Sequence, residues 1–216
     1  RSRRPYKISG IGQTARYRKR AQQAGLKWQH NRALIFEAGN EYRKFEVLDP
    51  SHATMGLERV VWDEGQRRYH AYPFVAEPRR NYIYDEDANG AFIIRNSDNT
   101  EIDITSDYVL VHYTLKALRR YDHAIVSIDG RWCTEPKETY RMSYDEQSQT
   151  YNATVLQKLG YYNYRFMMAD LDGTTHQMPE EGSFYQTENQ YTAFVYYKGT
   201  GERSWRLVGL CDKKFK

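Results

Sequence analysis

The chain has 216 residues, carries 20 tyrosines and sums to a formal charge of +4. That length suits one large domain or two small ones, and no apolar run approaches the roughly 20 residues that a helix needs to cross a membrane. The first residue is Arg1, with no initiator methionine, signal peptide or lipidation motif, so the sequence reads as a fragment or a processed product.

Charge is unevenly placed. Residues 1–36 hold ten lysines and arginines and no acidic residue; since the whole chain is +4, the remainder nets −6. A basic arm on an acidic body suits nucleic acid, anionic headgroups or a protein neighbour. No zinc knuckle, helix-turn-helix or aromatic-glycine signature accompanies it, so nucleic acid is not expected as a partner. Within the arm, Gly10, Gly12 and Ala15 follow the G-x-G-x-x-A spacing of a dinucleotide turn. The first acidic residue is Glu37 and no βαβ alternation follows, so a plain turn is the expectation and no cofactor is implied.

From residue 33 onward the pattern is β. ALIFEAGNEYRKFEVL (33–48) reads as strand, turn at Ala38–Gly39–Asn40, strand, with a bulge or bend near Arg43. GLERVVW (56–62) and RYHAYPFV (68–75) form a hairpin through Glu64–Gly65, and Pro73 puts the second strand at an edge or a bulge. NYIYDEDANGAFIIR (81–95) admits two readings. Asp85, Asp87, Asn89 and Gly90 match the first half of a calcium loop, but its twelfth position is Asn96 where a bidentate Glu is required. Asn89–Gly90 is equally the dipeptide of a tight hairpin turn, which is the expected structure.

SDNTEIDITS (97–106) is a polar junction. In DYVLVHYTL (107–115), strict alternation sends Val109, Val111, Tyr113 and Leu115 to a core and leaves His112 as a lone surface histidine. AIVSIDGRW (124–132) is a strand ending in an Asp129–Gly130 turn, and MSYDEQSQTYNATVLQ (142–157) is a hairpin. In GYYNYRFMMADLDG (160–173), Tyr162, Tyr164 and Phe166 share the core face, opposite Tyr161, Asn163 and Arg165. YTAFVYY (191–197) and Trp205–Leu210 make a final hairpin closing the domain. Short strands at even spacing argue for β-sandwiches. Cys133 and Cys211 could form one bridge or stay as two thiols; neither has ligand-like spacing, and no metal site is expected.

Seven stretches taken together resemble one family. They are GNEYRKF (39–45), NYIYDEDANGAFII (81–94), SDYVLVHYTL (106–115), IDGRW (128–132), RMSYDEQSQTYNATVLQKLGYYNYRF (141–166), EGSFYQTENQYTAFVYY (181–197) and GERSWRLVG (201–209). The family is the plug protein of the Bacteroidetes type IX protein secretion system, long catalogued as a domain of unknown function. The resemblance implies a periplasmic protein of immunoglobulin-like β-domains, associated with the outer membrane and touching the membrane only indirectly. Its partner would be the outer-membrane translocon barrel, whose periplasmic mouth it would close by protein binding. Family members extend further at the N-terminus. The fold class this implies is all-β, with two immunoglobulin-like, early-set β-sandwich domains in tandem. Residues 1–103 would hold the basic segment and the first sandwich, and residues 104–216 the second.

Residues 104–210 also look like the early-set sandwich of glycogen-binding modules, with a strand ending in a Gly-x-Trp turn and a later Tyr-x-Tyr-x-Phe strand. On that alternative, an α-glucan would stack on Trp132 and Tyr161. No catalytic motif is present: G-x-S-x-G, H-E-x-x-H and motif-spaced Cys–His pairs are all missing, so no catalytic residues are assigned and no enzyme is expected.

Overall fold

The computed structural model describes residues 36–98, 101–135 and 137–215. The Gly10–Gly12–Ala15 turn and nearly all of the basic arm lie outside them. Twelve strands dominate the described residues. They are β1 (Arg43–Val47), β2 (Leu57–Asp63), β3 (Arg68–Pro73), β4 (Phe92–Ile94), β5 (Tyr108–Lys116), β6 (Ala124–Asp129), β7 (Ser143–Asp145), β8 (Thr150–Lys158), β9 (Gly160–Asp170), β10 (Thr175–Gln177), β11 (Asn189–Tyr197) and β12 (Arg206–Phe215). The polar junction contributes one helical turn, Ile102–Thr105. The fold is all-β, as expected.

Ten strands build a β-sandwich of two five-stranded sheets. The first is organised on β9, whose leading half pairs antiparallel with β1 and β4 and whose trailing half pairs with β6 and β10. The bend into β9 needs Gly160, because a Cβ there would lie 2.4 Å from the carbonyl oxygen of Ile93. The second sheet runs β2-β3-β5-β8-β7. Here β5 and β8 pair over nine residues, Tyr108↔Lys158 to Lys116↔Thr150. The β3–β5 contact is parallel and registers only His70↔Leu110 and Ala71↔Val111.

Period-2 alternation sets the core. Val109, Val111, Tyr113 and Leu115 of β5 face Tyr162, Tyr164 and Phe166 of β9 across the sandwich, and all are buried. Tyr113 sits at the centre, with ring centroids 5.0 Å from Tyr164, 5.8 Å from Phe45 and 6.1 Å from Trp132. Its hydroxyl donates to Gln157 Oε1 at 2.7 Å, so the one polar atom of this ring is satisfied inside the core. Burial pushes that hydroxyl well above the ordinary tyrosine range.

The expected boundary at residues 103/104 does not separate two sets of strands. β1, β2, β3 and β4 come from before it, yet β1 and β4 pair with β9 and β3 pairs with β5. Residues Ala38–Lys216 form one compact unit accordingly. The physical reason is that the backbone edges of β5 and β9 find their hydrogen-bond partners in β3, β1 and β4 from across that boundary. Two local expectations also change. Residues 36–42 carry no strand, and residues 81–91 run as an extended loop, so β4 lacks a hairpin partner. The turn itself forms: Asn89 and Gly90 sit at φ of 53° and 76°, and the Ala91 N–H donates to Ala88 O at 3.0 Å. Pro73 ends β3 opposite a register shift between Leu57 and Arg59, so the bulge was realised and not the edge.

Candidate functional site

The remaining two strands form a sheet of their own. β11 and β12 pair antiparallel from Asn189↔Phe215 to Tyr197↔Arg206, with a register shift after Val195. Their composition, NQYTAFVYY against RLVGLCDKKF, is as apolar as that of core strands. Yet Phe194 is 46% exposed, Val195 52%, Tyr197 52% and Leu210 58%. A two-stranded ribbon has no second layer to bury its side chains, and an isolated hairpin is marginal in water. Contiguous exposed apolar surface of this kind marks contact sites on soluble proteins.

The root of the hairpin is held firmly to the sandwich. Phe184 N–H and Thr187 Oγ1 both donate to Gly39 O, at 2.8 and 2.9 Å, and Asn189 Nδ2 donates to Ala38 O at 2.8 Å. Beneath this lies a buried carboxylate. Glu181 is 1% exposed; it accepts from the Phe166 N–H at 3.0 Å and from Arg43 Nε at 2.9 Å, with Arg79 Nη1 at 3.9 Å. Its own carbonyl accepts from Asn40 Nδ2 at 2.8 Å, and Arg43 also donates to Glu77 O. One carboxylate thus ties β1, β9, the 77–79 loop and the chain entering the hairpin. Removing it would leave two arginines facing a buried void, the costly way to break a buried pair. The sequence gives no sign of this, because Glu181 opens a polar, turn-like stretch.

The residues proposed for sugar stacking are placed against that role. Trp132 is 7% exposed, boxed by Tyr113, Tyr140 and Tyr162, and its Nε1 donates to Asn163 O at 2.8 Å. The Gly-x-Trp turn serves this packing: a Cβ on Gly130 would lie 2.5 Å from Trp132 Nε1. Tyr161 is half-buried on the opposite side of β9, its hydroxyl accepting from Asn163 Nδ2. No side-by-side aromatic platform results, because one ring belongs to the core and the other to the outer face.

The half calcium loop is spent on loop geometry. Asp85 pairs with Lys44 Nζ, while Asp87 accepts from the N–H groups of Tyr42 and Asn89. The buried Asn96 donates to Thr105 Oγ1 and takes no part. Among the described residues, no group of three or more His, Cys, Asp or Glu is placed to hold a metal ion. A polar cleft of about 240 Å³ opens beside the hairpin root, lined by Glu41, Glu86, Asp87 and Glu188 with Lys214 opposite. Burial raises the Glu41 carboxyl above its usual range, but the cleft lacks the apolar walls of a small-molecule pocket.

Both cysteines are free thiols, Cys133 half-buried in the sandwich and Cys211 exposed on β12. His112 does lie on the outer face, but it is not alone: His70 Nδ1 stands 2.8 Å from its Nε2. Only strand pairing brings these two together.

Among the described residues no helix is long and apolar enough to cross a membrane. No protein-family model matches the sequence, and no curated protein matches it. Among solved structures, the crystal structure of a hypothetical protein from Parabacteroides merdae is similar, at 33% identity and a TM-score of 0.74. The similarity covers 86% of this chain and 47% of that one, so the chain spans about half the length of the protein it matches.

Proposed function

We propose that the chain is a non-catalytic, protein-binding component of the type IX secretion system, the periplasmic plug of its outer-membrane translocon. One observation carries the reading. The longest C-terminal block of the family resemblance, EGSFYQTENQYTAFVYY, is the segment that builds the clamp at Glu181 and then the exposed apolar strand β11. A stretch shaped for contact, rooted rigidly and free of its own cover, suits a docking element. Rigid aromatic side chains on such a ribbon give contact area at low entropic cost. The sandwich itself we read as immunoglobulin-like of the early-set kind, supported by β6 ending in the Gly130–Trp132 turn beside β9. The plug must bind the closed barrel more tightly than the open, loaded one if it is to respond to gating.

The test is affinity capture from outer-membrane extract of a type IX-competent Bacteroidetes cell. The bait is this chain, beside its Phe194→Ser, Leu210→Ser variant. Near-stoichiometric recovery of the very large barrel by the wild type, reduced at least tenfold by the variant, is the expected result. A barrel absent from the wild-type eluate sinks the plug reading. A barrel recovered equally by both baits removes the hairpin from it.

A further inference from the structure

The outer face of the second sheet carries two imidazoles from strands 42 residues apart in sequence. His70 on β3 and His112 on β5 lie with their rings nearly parallel, 14° apart, and His70 Nδ1 is 2.8 Å from His112 Nε2. His112 Nδ1 reaches Thr154 Oγ1 on β8 at 2.9 Å. His70 is buried; its Nε2 lacks a hydrogen-bond partner and stands 3.9 Å from Asp63 Oδ2 on β2. The Tyr72 ring stacks on His112 at 4.5 Å, and the Arg59 guanidinium caps Tyr72 at 4.2 Å. The charged groups around the pair are Asp63 and Arg59, the latter itself paired with the exposed Glu58 at 3.1 Å.

Counting protons gives the pair its property. A hydrogen bond between two imidazole nitrogens needs one N–H and one lone pair. Two ring protons satisfy this, and so do three, with one N–H aimed at Asp63, one shared and one at Thr154. A fourth proton sets N–H against N–H at the shared contact and places two cations side by side. Arg59 adds to that repulsion, and the single Asp63 cannot neutralise both rings. Consistently, burial first, then His70 and Arg59, hold the His112 imidazole below its ordinary pKa.

The pair also sits on a short parallel seam, continued beyond β3 by Ala76, whose N–H donates to Thr114 O at 2.8 Å and whose carbonyl accepts from the Lys116 N–H at 3.0 Å. β3 joins β5 through only two registered residues, one of them His70, whereas β5 joins β8 through nine. We propose that this seam is an acid-sensitive joint: full protonation of the His70–His112 pair releases the β2–β3 hairpin from the edge of β5. Release would bare the β5 backbone groups, a template on which another strand can pair.

The sign follows from linkage. A folded imidazole held below its unfolded value binds fewer protons closed than open, so closure is favoured above about pH 6.5 and weakens as pH falls below it. One proton taken up only on opening raises the opening constant at most about tenfold per pH unit.

Native-state hydrogen exchange on the whole chain tests this, with each rate normalised to chemical exchange at that pH. Between pH 6.5 and 5.5, opening of peptides covering β2, β3 and the first half of β5 should rise by up to about fivefold, while β6 stays unchanged. In His112→Gln the rise should vanish. A seam that opens equally at both pH values, or a rise that persists in His112→Gln, overturns the proposal. Should that variant not fold, imidazole C2–H titration of the wild type decides. Complete protonation of both histidines with the β3 and β5 amide signals unmoved would refute the joint.

Discussion

The sandwich and the hairpin are written in the same residues and come to opposite ends. Tyr, Phe and Val alternate with other residues in β9 and β5 and are swallowed by a facing sheet; in β11 and β12 the same residue types run consecutively and stay in water. What differs is the presence of a second layer. Strand pattern announces that a residue wants cover, but only topology decides whether the chain supplies it. In the sandwich, strands from both ends of the sequence close over one another. The hairpin leaves its cover to be found elsewhere, which is why it is the candidate interface.

Breaking the sandwich should have the largest effect. Glu181→Ala removes the anion that Arg43, Arg79 and the Phe166 N–H share. Leaving the arginine charges without their anion should cost about 3–5 kcal/mol. Phe45→Ala, which empties the space between Tyr113, Tyr162 and Tyr164, should cost a similar amount, about 3–5 kcal/mol. Urea unfolding followed by tryptophan fluorescence measures both. A loss under about 1 kcal/mol for either would mean that the clamp or the aromatic core does not hold the two sheets together.

The hairpin should answer in the other direction. Phe194→Ser with Leu210→Ser, a directly opposed pair, should shift the same urea midpoint by no more than about 0.5 kcal/mol equivalent, since neither side chain is in a core. A loss comparable to Phe45→Ala would show that the ribbon packs on the sandwich in solution and is not a free surface.

Much of this was legible in the sequence, for identifiable reasons. Strands with a clean period of two were placed correctly, and the inward sets of β5 and β9 follow directly from alternation. Turn chemistry at Asn89–Gly90 and at Glu64–Gly65 was readable as well. The division into two sandwiches failed because pairing partners are non-local: nothing in RKFEV says that it will lie against GYYNY, more than a hundred residues later. The Gly-x-Trp turn leaves Trp132 open to either an exposed stacking role or packing, and the fold takes the second, turning the indole inward onto Asn163 O. The Glu181 clamp and the His70–His112 contact were invisible for the same reason, since each is assembled from separate elements and neither has a local signature.

The smallest effect, and the cleanest contrast, is chemical. Cys133 lies in the sandwich with its Sγ 3.8 Å from Ile128 O, and burial, assisted by the Asp129 charge, pushes its thiol up to about 12. Cys211 is exposed on β12 across from Ala193. Attack on a disulfide reagent requires the thiolate. At pH 8 a thiol with a pKa of about 12 is ionised to only about one part in ten thousand. Native protein should therefore titrate one fast thiol with an aromatic disulfide reagent, and Cys211→Ser should abolish that phase. In denaturant both should react. Equal native rates for the two cysteines would erase the contrast between covered and uncovered regions. If a partner covers the ribbon, the fast phase should slow on its addition while Cys133 stays silent. One thiol would then report on the interface and the other on the fold, in the same sample.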